Sequence, residues 1–244
     1  MTRLSVNLNK VALLRNTRDV GVPDVLRAAR IAVDAGASGV TVHPRPDERH
    51  TRPSDVFNLS SFTQDAGVEF NIEGNPTKSF LALVHKVVPA QCTLVPDAPD
   101  QRTSDHGWDL GSDGDRLRPI ISDLRSRGIR VSLFMDPDPV VIANAAKVGA
   151  DRIEIYTEPY AKAFGTQDQA SNLDACAKCA EEAERMGLGV NAGHDLNLHN
   201  LPALVQSVPG IVEVSIGHAL IADALELGLR ETVGAYLSAL SSAK

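Results

Sequence analysis

The chain has 244 residues, 43% of them hydrophobic, which is enough for one sizeable core and within the range of single α/β barrels. Its formal net charge of −7 argues against nonspecific nucleic-acid binding, which needs a basic surface to neutralise phosphates, so any anion must be held by a local basic cluster. No eighteen-residue uncharged apolar run and no signal-like segment occurs, and Cys92, Cys176 and Cys179 make no disulfide framework; the expectation is a cytoplasmic chain without a membrane partner.

Short β-branched runs alternate with longer apolar-periodic stretches, the signature of parallel βαβ units. In chain order they are strand Leu4–Asn7, helix Val25–Ala35, strand Gly39–His43, strand Glu69–Glu73, helix Lys78–Val87 and strand Gln91–Val95. A Pro/Asp/Gly-rich stretch from Val95 to Asp115 reads as loose. Strand Arg130–Phe134, helix Pro139–Val148, strand Arg152–Tyr156, helix Gln167–Met186, strand Gly189–Asn191 and strand Ile211–Ile216 complete the series. The strands look weakly alternating, as expected when both faces are covered. Gly36, Gly128, Gly149 and Gly187 stand where helices should end before strands, a C-cap position that favours the left-handed conformation.

The turn after the first strand reads Asn7-Leu8-Asn9-Lys10, which is neither a dinucleotide-binding fingerprint nor a P-loop. Eight strands favour closure over an open sheet. The expected fold is one (β/α)₈ TIM barrel over residues 1–244, with its chemistry at the C-terminal strand ends.

Reactive residues gather at those ends. Asn7 ends the first strand, His43 the second and Glu73 the third; Glu154 and Tyr156 end the sixth; Asn191 and His194 follow the seventh, and Gly217-His218 the eighth. Each alone has an ordinary structural explanation, but their shared position makes them candidates for proton transfer, to which His and Glu are suited. The loop His43-Pro44-Arg45-Pro46-Asp47-Glu48-Arg49-His50-Thr51-Arg52 offers guanidinium forks matched to phosphate, unless it is a solvated loop paired internally through Asp47 and Glu48. Arg15 and Arg18 could add to its field. Gly193 and Gly217 mark the region where barrels often bind phosphate through backbone amides, or they simply permit strand-to-helix turns.

Other signals are weak. Cys176-Ala-Lys-Cys179 has redox or zinc spacing but lies in a helical pattern with no second ligand pair. The scattered donors suggest no metal and no cofactor. Met135-Asp136-Pro137-Asp138-Pro139 reads as a strand-to-helix turn.

The sequence also resembles, almost end to end, the pyridoxine 5′-phosphate synthases that use deoxyxylulose phosphate. The resemblance is carried by Val6–Asn16, Thr41-Val42-His43-Pro44-Arg45 with Arg49-His50, Asn71-Ile72-Glu73, Leu94-Val95-Pro96, Val131–Phe134, Ile153-Glu154-Ile155, Val190-Asn191-Ala192-Gly193-His194 and Ile216-Gly217-His218-Ala219. It implies a transferase that condenses 1-deoxy-D-xylulose 5-phosphate with 3-amino-2-oxopropyl phosphate, without a metal, to pyridoxine 5′-phosphate, inorganic phosphate and water. It further implies a barrel with additional helices that assembles with copies of itself, commonly as an octamer. By the same resemblance His43 and Glu73 accept protons, His194 donates one, and Glu154 stabilises a transition state. Asn7, Arg18, Gly217 and His218 would hold the amino-ketone phosphate, and Arg45, His50 and Thr103 the deoxyxylulose phosphate.

The chain departs from the common pattern at Asn9-Lys10, where many members have Asp-His; at Tyr156, often His; at Glu158, often Gly; and at Asp195, often Gly. Asn9 and Lys10 keep hydrogen-bonding capacity and add a cation, so they join the candidate substrate-binding set with Gly193 and Asp195. A carboxylate at 195 would repel a phosphate unless it points away. Two other functions compete: a phosphosugar isomerase or aldolase, for which only Lys10 lies near a mouth, and a catalytically silent phosphometabolite binder.

Overall fold

A computed structural model describes residues 1–242. Eight parallel strands close in sequence order into a barrel: β1 (Arg3–Asn7), β2 (Gly39–Val42), β3 (Glu69–Gly74), β4 (Gln91–Leu94), β5 (Arg130–Met135), β6 (Arg152–Tyr156), β7 (Gly189–Gly193) and β8 (Ile211–Ile216). Closure is made by β8 beside β1, with Leu4 opposite Val214 and Val6 opposite Ile216. The sequence reading is borne out in fold and in all eight strands, with boundary shifts of one or two residues: β2 stops short of His43, and β7 runs on to Gly193.

Eleven helices lie among the described residues: α1 (Asn9–Asn16), α2 (Val25–Asp34), α3 (Pro53–Ala66), α4 (Lys78–Val87), α5 (Leu110–Ser126), α6 (Pro139–Lys147), α7 (Glu158–Ala163), α8 (Gln169–Arg185), α9 (Leu201–Ser207), α10 (His218–Leu227) and α11 (Leu229–Ser241). Local chemistry sets their starts. Asp24 accepts from the Arg27 N–H to cap α2, Thr77 accepts from the Phe80 N–H to cap α4, and Asp138 accepts from the Val140 N–H to cap α6. All four expected helix-ending glycines have positive φ, from 75° at Gly187 to 107° at Gly36. None of the helices is long and apolar enough to cross a membrane.

Both faces of the strands are covered, as expected, and the two faces differ in chemistry. Leu4, Val6, Val40, Val42, Ile72, Leu94, Val131, Leu133, Ile153 and Val214 are buried in the shell between strands and helices. Each such side chain contributes about 1.5–3 kcal/mol on leaving water. Their neighbours face the barrel axis and are polar. Ser5 bonds Thr41 at 2.7 Å, the Thr93 hydroxyl donates to Asn71 at 3.1 Å, and the Asn191 amide donates to Gln91 and Glu213, each at 3.3 Å. A barrel axis lined by hydrogen-bonding groups in place of branched aliphatics lets charged side chains stand at the mouth without an apolar floor beneath them.

The stretch expected to be loose is tethered. Trp108 Nε1 donates to the Leu94 carbonyl at 2.8 Å, Gly107 N–H donates to Asp136 at 2.9 Å, and α5 already begins at Leu110. Cys176 and Cys179 are buried on one face of α8, in agreement with a packing role.

Candidate active site

The first-strand turn builds outward from Asn7. Its Oδ1 accepts from the Asn9 N–H at 3.0 Å, and its Nδ2 reaches Glu73 Oε2 at 3.4 Å, so one amide links the start of α1 to the carboxyl at the end of β3. Asn9 in turn gives its Oδ1 to the His43 N–H at 2.8 Å and to the Thr51 hydroxyl at 3.0 Å. That oxygen is committed to holding His43 and the arginine loop. Lys10 is exposed on α1, close enough for its charge to act on His50.

His43 is buried directly after β2. Burial, and then the positive charge of Arg45, hold its imidazole well below the ordinary value, and the charges of His50 and His194 also reach it. It is therefore a neutral base at pH 7. His50 stands near it, with ring centroids 6.2 Å apart, and is lowered to about 4 by burial and by Arg45, Arg49 and Lys10. Its Nδ1 accepts from the Thr51 N–H at 2.9 Å, which leaves the ring proton on Nε2 as an outward donor.

Three carboxyls share the barrel interior. Glu73 is pushed well above the ordinary carboxylate value by burial and then by Glu154, Asp97 and Glu213. Glu154 is raised by burial and by Glu213, and Glu213 by burial and by Glu69. Like charges this close cannot all ionise, so the cluster holds protons at neutrality.

His194 follows β7 against a small apolar group of Val95, Phe134 and Tyr156, its ring centroid 5.1 Å from that of Phe134 and 5.2 Å from that of Tyr156. Burial lowers its pKa, Asp195, Asp97 and Glu158 raise it, and Arg45 lowers it. The backbone is left-handed at two consecutive non-glycine residues, φ 84° at His194 and 57° at Asp195. Gly193 has a packing reason to lack a side chain, since an added Cβ would stand 2.4 Å from Glu154 Oε1. At Gly217 an added Cβ would lie 3.1 Å from Asn7 Cβ.

His43, Glu73, Glu154, His194, Asn7, Asn9, His50, Gly193 and Gly217 thus gather at the C-terminal mouth. Arg45 is there too, but neither as a free clamp nor as a solvated residue: it is buried, ion-paired with Asp97, and donates to the Gln101 carbonyl at 2.9 Å. Arg49 donates to the same carbonyl at 3.0 Å, to Pro99 O at 3.1 Å and to Asp47 at 2.7 Å. Both arginines staple the β2–α3 loop to the β4–α5 loop. Arg15, considered for the phosphate field, is spent on Asp55, which it meets through both guanidinium nitrogens, and on the His50 carbonyl. Arg18, Thr103 and His218 are exposed, and their side chains join no hydrogen bond or ion pair among the described residues.

Sequence reasoning missed Asp97, Thr157 and Glu213. Asp97 follows the quoted Leu94-Val95-Pro96, and Thr157 adjoins Tyr156, but neither residue type signals a role until its partner is visible. The charge of Asp195 acts on Tyr156 and Lys162 as well as on His194, and Glu158 acts on the same three. The three departures Tyr156, Glu158 and Asp195 therefore lie together beside His194.

Solved structures share this fold at low sequence identity. A tryptophan synthase from M. tuberculosis matches 98% of this chain and 92% of its own at TM-score 0.67 and 13% identity. A 4-hydroxy-2-oxoglutarate aldolase/2-deydro-3-deoxyphosphogluconate aldolase matches 97% and 93% at TM-score 0.62 and 14% identity. Sequence relatives are far nearer. The pyridoxine 5′-phosphate synthase of Albidiferax ferrireducens is 56% identical, covering 100% of this chain and 99% of its own. Those of Brucella anthropi and Porphyromonas gingivalis are each 52% identical, covering 98% and 99% of this chain. The family model described as pyridoxal phosphate biosynthesis protein PdxJ matches residues 4–242. With a polar barrel mouth built from the residues that carried the resemblance, and relatives alike over their full length, the chain belongs to the PdxJ family.

Proposed function

We propose that the chain is a transferase that condenses 1-deoxy-D-xylulose 5-phosphate with 3-amino-2-oxopropyl phosphate to give pyridoxine 5′-phosphate, inorganic phosphate and water, the synthase activity for which its full-length relatives are named. The observation that carries this reading is the meeting of His43, Glu73 and His194, at the ends of three separate strands, at one barrel mouth within a family match over residues 4–242.

The reaction joins an amine to a ketone, expels phosphate and closes a ring, so protons must move between carbon, nitrogen and oxygen. His43, neutral in the free protein, is suited to take the first. Glu73 becomes a base once the ammonium of the amino-ketone enters and favours its ionised form. Glu154, kept protonated by burial and by Glu213, can donate a hydrogen bond to a developing oxyanion. His194 accepts a proton released during condensation and returns it to the departing phosphate. In this reading Arg45, His50 and Thr103 bind the deoxyxylulose phosphate, and Asn7, Arg18, Gly217 and His218 the other, with Lys10 adding positive field. Asn9 serves by holding His43, and Gly193 by admitting Glu154. Asp195 acts on His194 and does not itself bind phosphate.

An aldolase is disfavoured because Lys10 is exposed on α1 and does not stand at an interior strand end, where a Schiff-base lysine is wanted. We further read residues 1–242 as the greater part of one catalytic domain over 1–244, acting in the cytoplasm as a homo-oligomer such as an octamer. Exposed Leu13, Leu14, Val20 and Val22 support self-association. Incubating the purified chain with both substrates and following pyridoxine 5′-phosphate by absorbance and mass tests the function. Product with stoichiometric phosphate is expected, and no product from folded protein would overturn the assignment.

A further inference from the structure

His194 and Asp195 both hold positive φ, 84° and 57°, with no glycine at either position. L-residues enter this region at a cost, and consecutive ones persist only where the surroundings over-determine them. Here the surroundings are specific. The Thr157 hydroxyl lies 2.7 Å from the Gly193 carbonyl and 2.6 Å from the His194 carbonyl, so its one hydrogen serves two acceptors. The Thr157 N–H also donates to Gly193 O at 2.9 Å. The next carbonyl, that of Asp195, accepts from Asn200 Nδ2 at 3.1 Å. Asn200 is itself fixed: its carbonyl accepts from the Tyr160 hydroxyl at 2.6 Å and its Oδ1 from the Asn197 N–H at 2.8 Å.

Three successive carbonyls are thus held by two buried residues, Thr157 and Asn200. Tyr156, the residue before Thr157, packs edge-on against the His194 ring, and Phe134 packs against both. The end of β6 therefore fixes both the backbone of His194 and the face of its imidazole.

We propose that Thr157 is a positioning residue for the reaction, its buried hydroxyl holding the Gly193-His194-Asp195 turn in the left-handed conformation that keeps the His194 ring packed against Phe134 and Tyr156. This rests on the reading of His194 as the proton donor. Without the hydroxyl, His194 can relax to ordinary negative φ and its ring leaves the contact with Phe134 and Tyr156. Misplacing a reacting group by about 1 Å costs on the order of 10²-fold in rate.

The test compares Thr157→Val, which keeps the shape and loses the donor, with Thr157→Ser, which keeps the donor. Thr157→Val should lower kcat by about 10²-fold with KM changed by less than about threefold, whereas Thr157→Ser should restore most of the rate. The second readout is the His194 imidazole resonance, titrated by NMR. In Thr157→Val it should lose the ring-current shift from Phe134 and Tyr156 and titrate nearer the ordinary value, while Thr157→Ser should match the parent. Asp195, Asp97, Glu158 and Arg45 act on this imidazole and are unaltered in both variants. If Thr157→Val does not fold, Thr157→Cys, similar in volume and a weak donor, replaces it in both measurements.

A Thr157→Val protein that is merely less heat-stable, with parental kcat and His194 resonance, overturns the proposal. The underlying reading is tested separately by His194→Asn, which should bind both substrates yet turn over about 10²- to 10⁴-fold more slowly. Near-parental phosphate release by His194→Asn defeats the acid role while leaving the resonance test of Thr157 intact. An impaired His194→Asn beside an unshifted Thr157→Val resonance defeats the positioning role alone.

Discussion

Arg45 and Asp97 form an ion pair whose side chains are only 4% and 2% exposed, and it joins the loop after β2 to the loop after β4. Ser104 adds a hydroxyl donor to the same Asp97 oxygen at 2.7 Å. Under the proposed function, a phosphate bound at Arg45 would meet a guanidinium that already serves a carboxylate, which would link ligand binding to the attachment of the two loops.

Replacing Arg45 by Met should weaken deoxyxylulose phosphate binding by about 1–3 kcal/mol, as for loss of a charge-assisted pair. It should also leave Asp97 buried without a counter-charge and loosen the segment from Pro96 to Gly107. Faster amide exchange there in both Arg45→Met and Asp97→Asn, measured by mass spectrometry, checks the linkage. Unchanged exchange in both variants would show that Trp108 and Asp136 hold the loop unaided.

Asp195 should set the pH range of the reaction. Burial lowers the His194 pKa, and the charge of Asp195 is the foremost influence opposing it. Asp195→Asn removes that opposition, so the folded pKa falls further and the protonated fraction at any given pH shrinks. If the protonated form is needed in the rate-limiting step, the alkaline limb of the kcat profile moves to lower pH. A profile displaced to higher pH, or not at all, would contradict this account.

Glu154 carries a stability cost that depends on pH. Its folded pKa is raised from the ordinary 4.5 by burial and by Glu213. Between the unfolded and folded values the native state binds more protons than the unfolded one, so the stability contributed by protonated Glu154 is complete below about pH 4.5 and declines as pH rises through the folded value. Glu154→Gln has no such decline. Its thermal midpoint relative to the parent should therefore climb with pH above about 4.5 and stay flat below it, which calorimetry from about pH 4 to 9 would reveal. Activity should fall in the same variant if the carboxyl proton is used.

Gly193 should not tolerate even alanine. The added methyl would stand 2.4 Å from Glu154 Oε1, with β6 and β7 already in register through Tyr156 and Gly193. Gly193→Ala should cost about 1–3 kcal/mol in urea unfolding, the usual penalty for overpacking. Combining it with Glu154→Ala should recover most of that loss.

The residues that act through strand order were legible in the chain itself. Alternating β and α segments, glycines ending helices, and polar residues at strand C-termini follow from near-neighbour rules, and they gave the barrel, its eight strands and the mouth positions of His43, Glu73, Glu154 and His194. What the chain could not disclose is which charge meets which across the fold. Arg45 and Asp97 lie 52 residues apart, and Arg15 and Asp55 lie 40 apart. No local pattern tells a free phosphate-binding guanidinium from one already paired, because pairing depends on two loops meeting. The polar lining was likewise hidden, since Ser5, Thr41, Asn71 and Thr93 look ordinary until closure turns them toward one axis and burial forces them to bond one another. The same holds for the left-handed turn at His194: His and Asp enter this region more readily than most residues, but nothing local fixes two of them there in succession, and it is the hydroxyl of Thr157 and the amide of Asn200, brought in by neighbouring elements, that hold the turn.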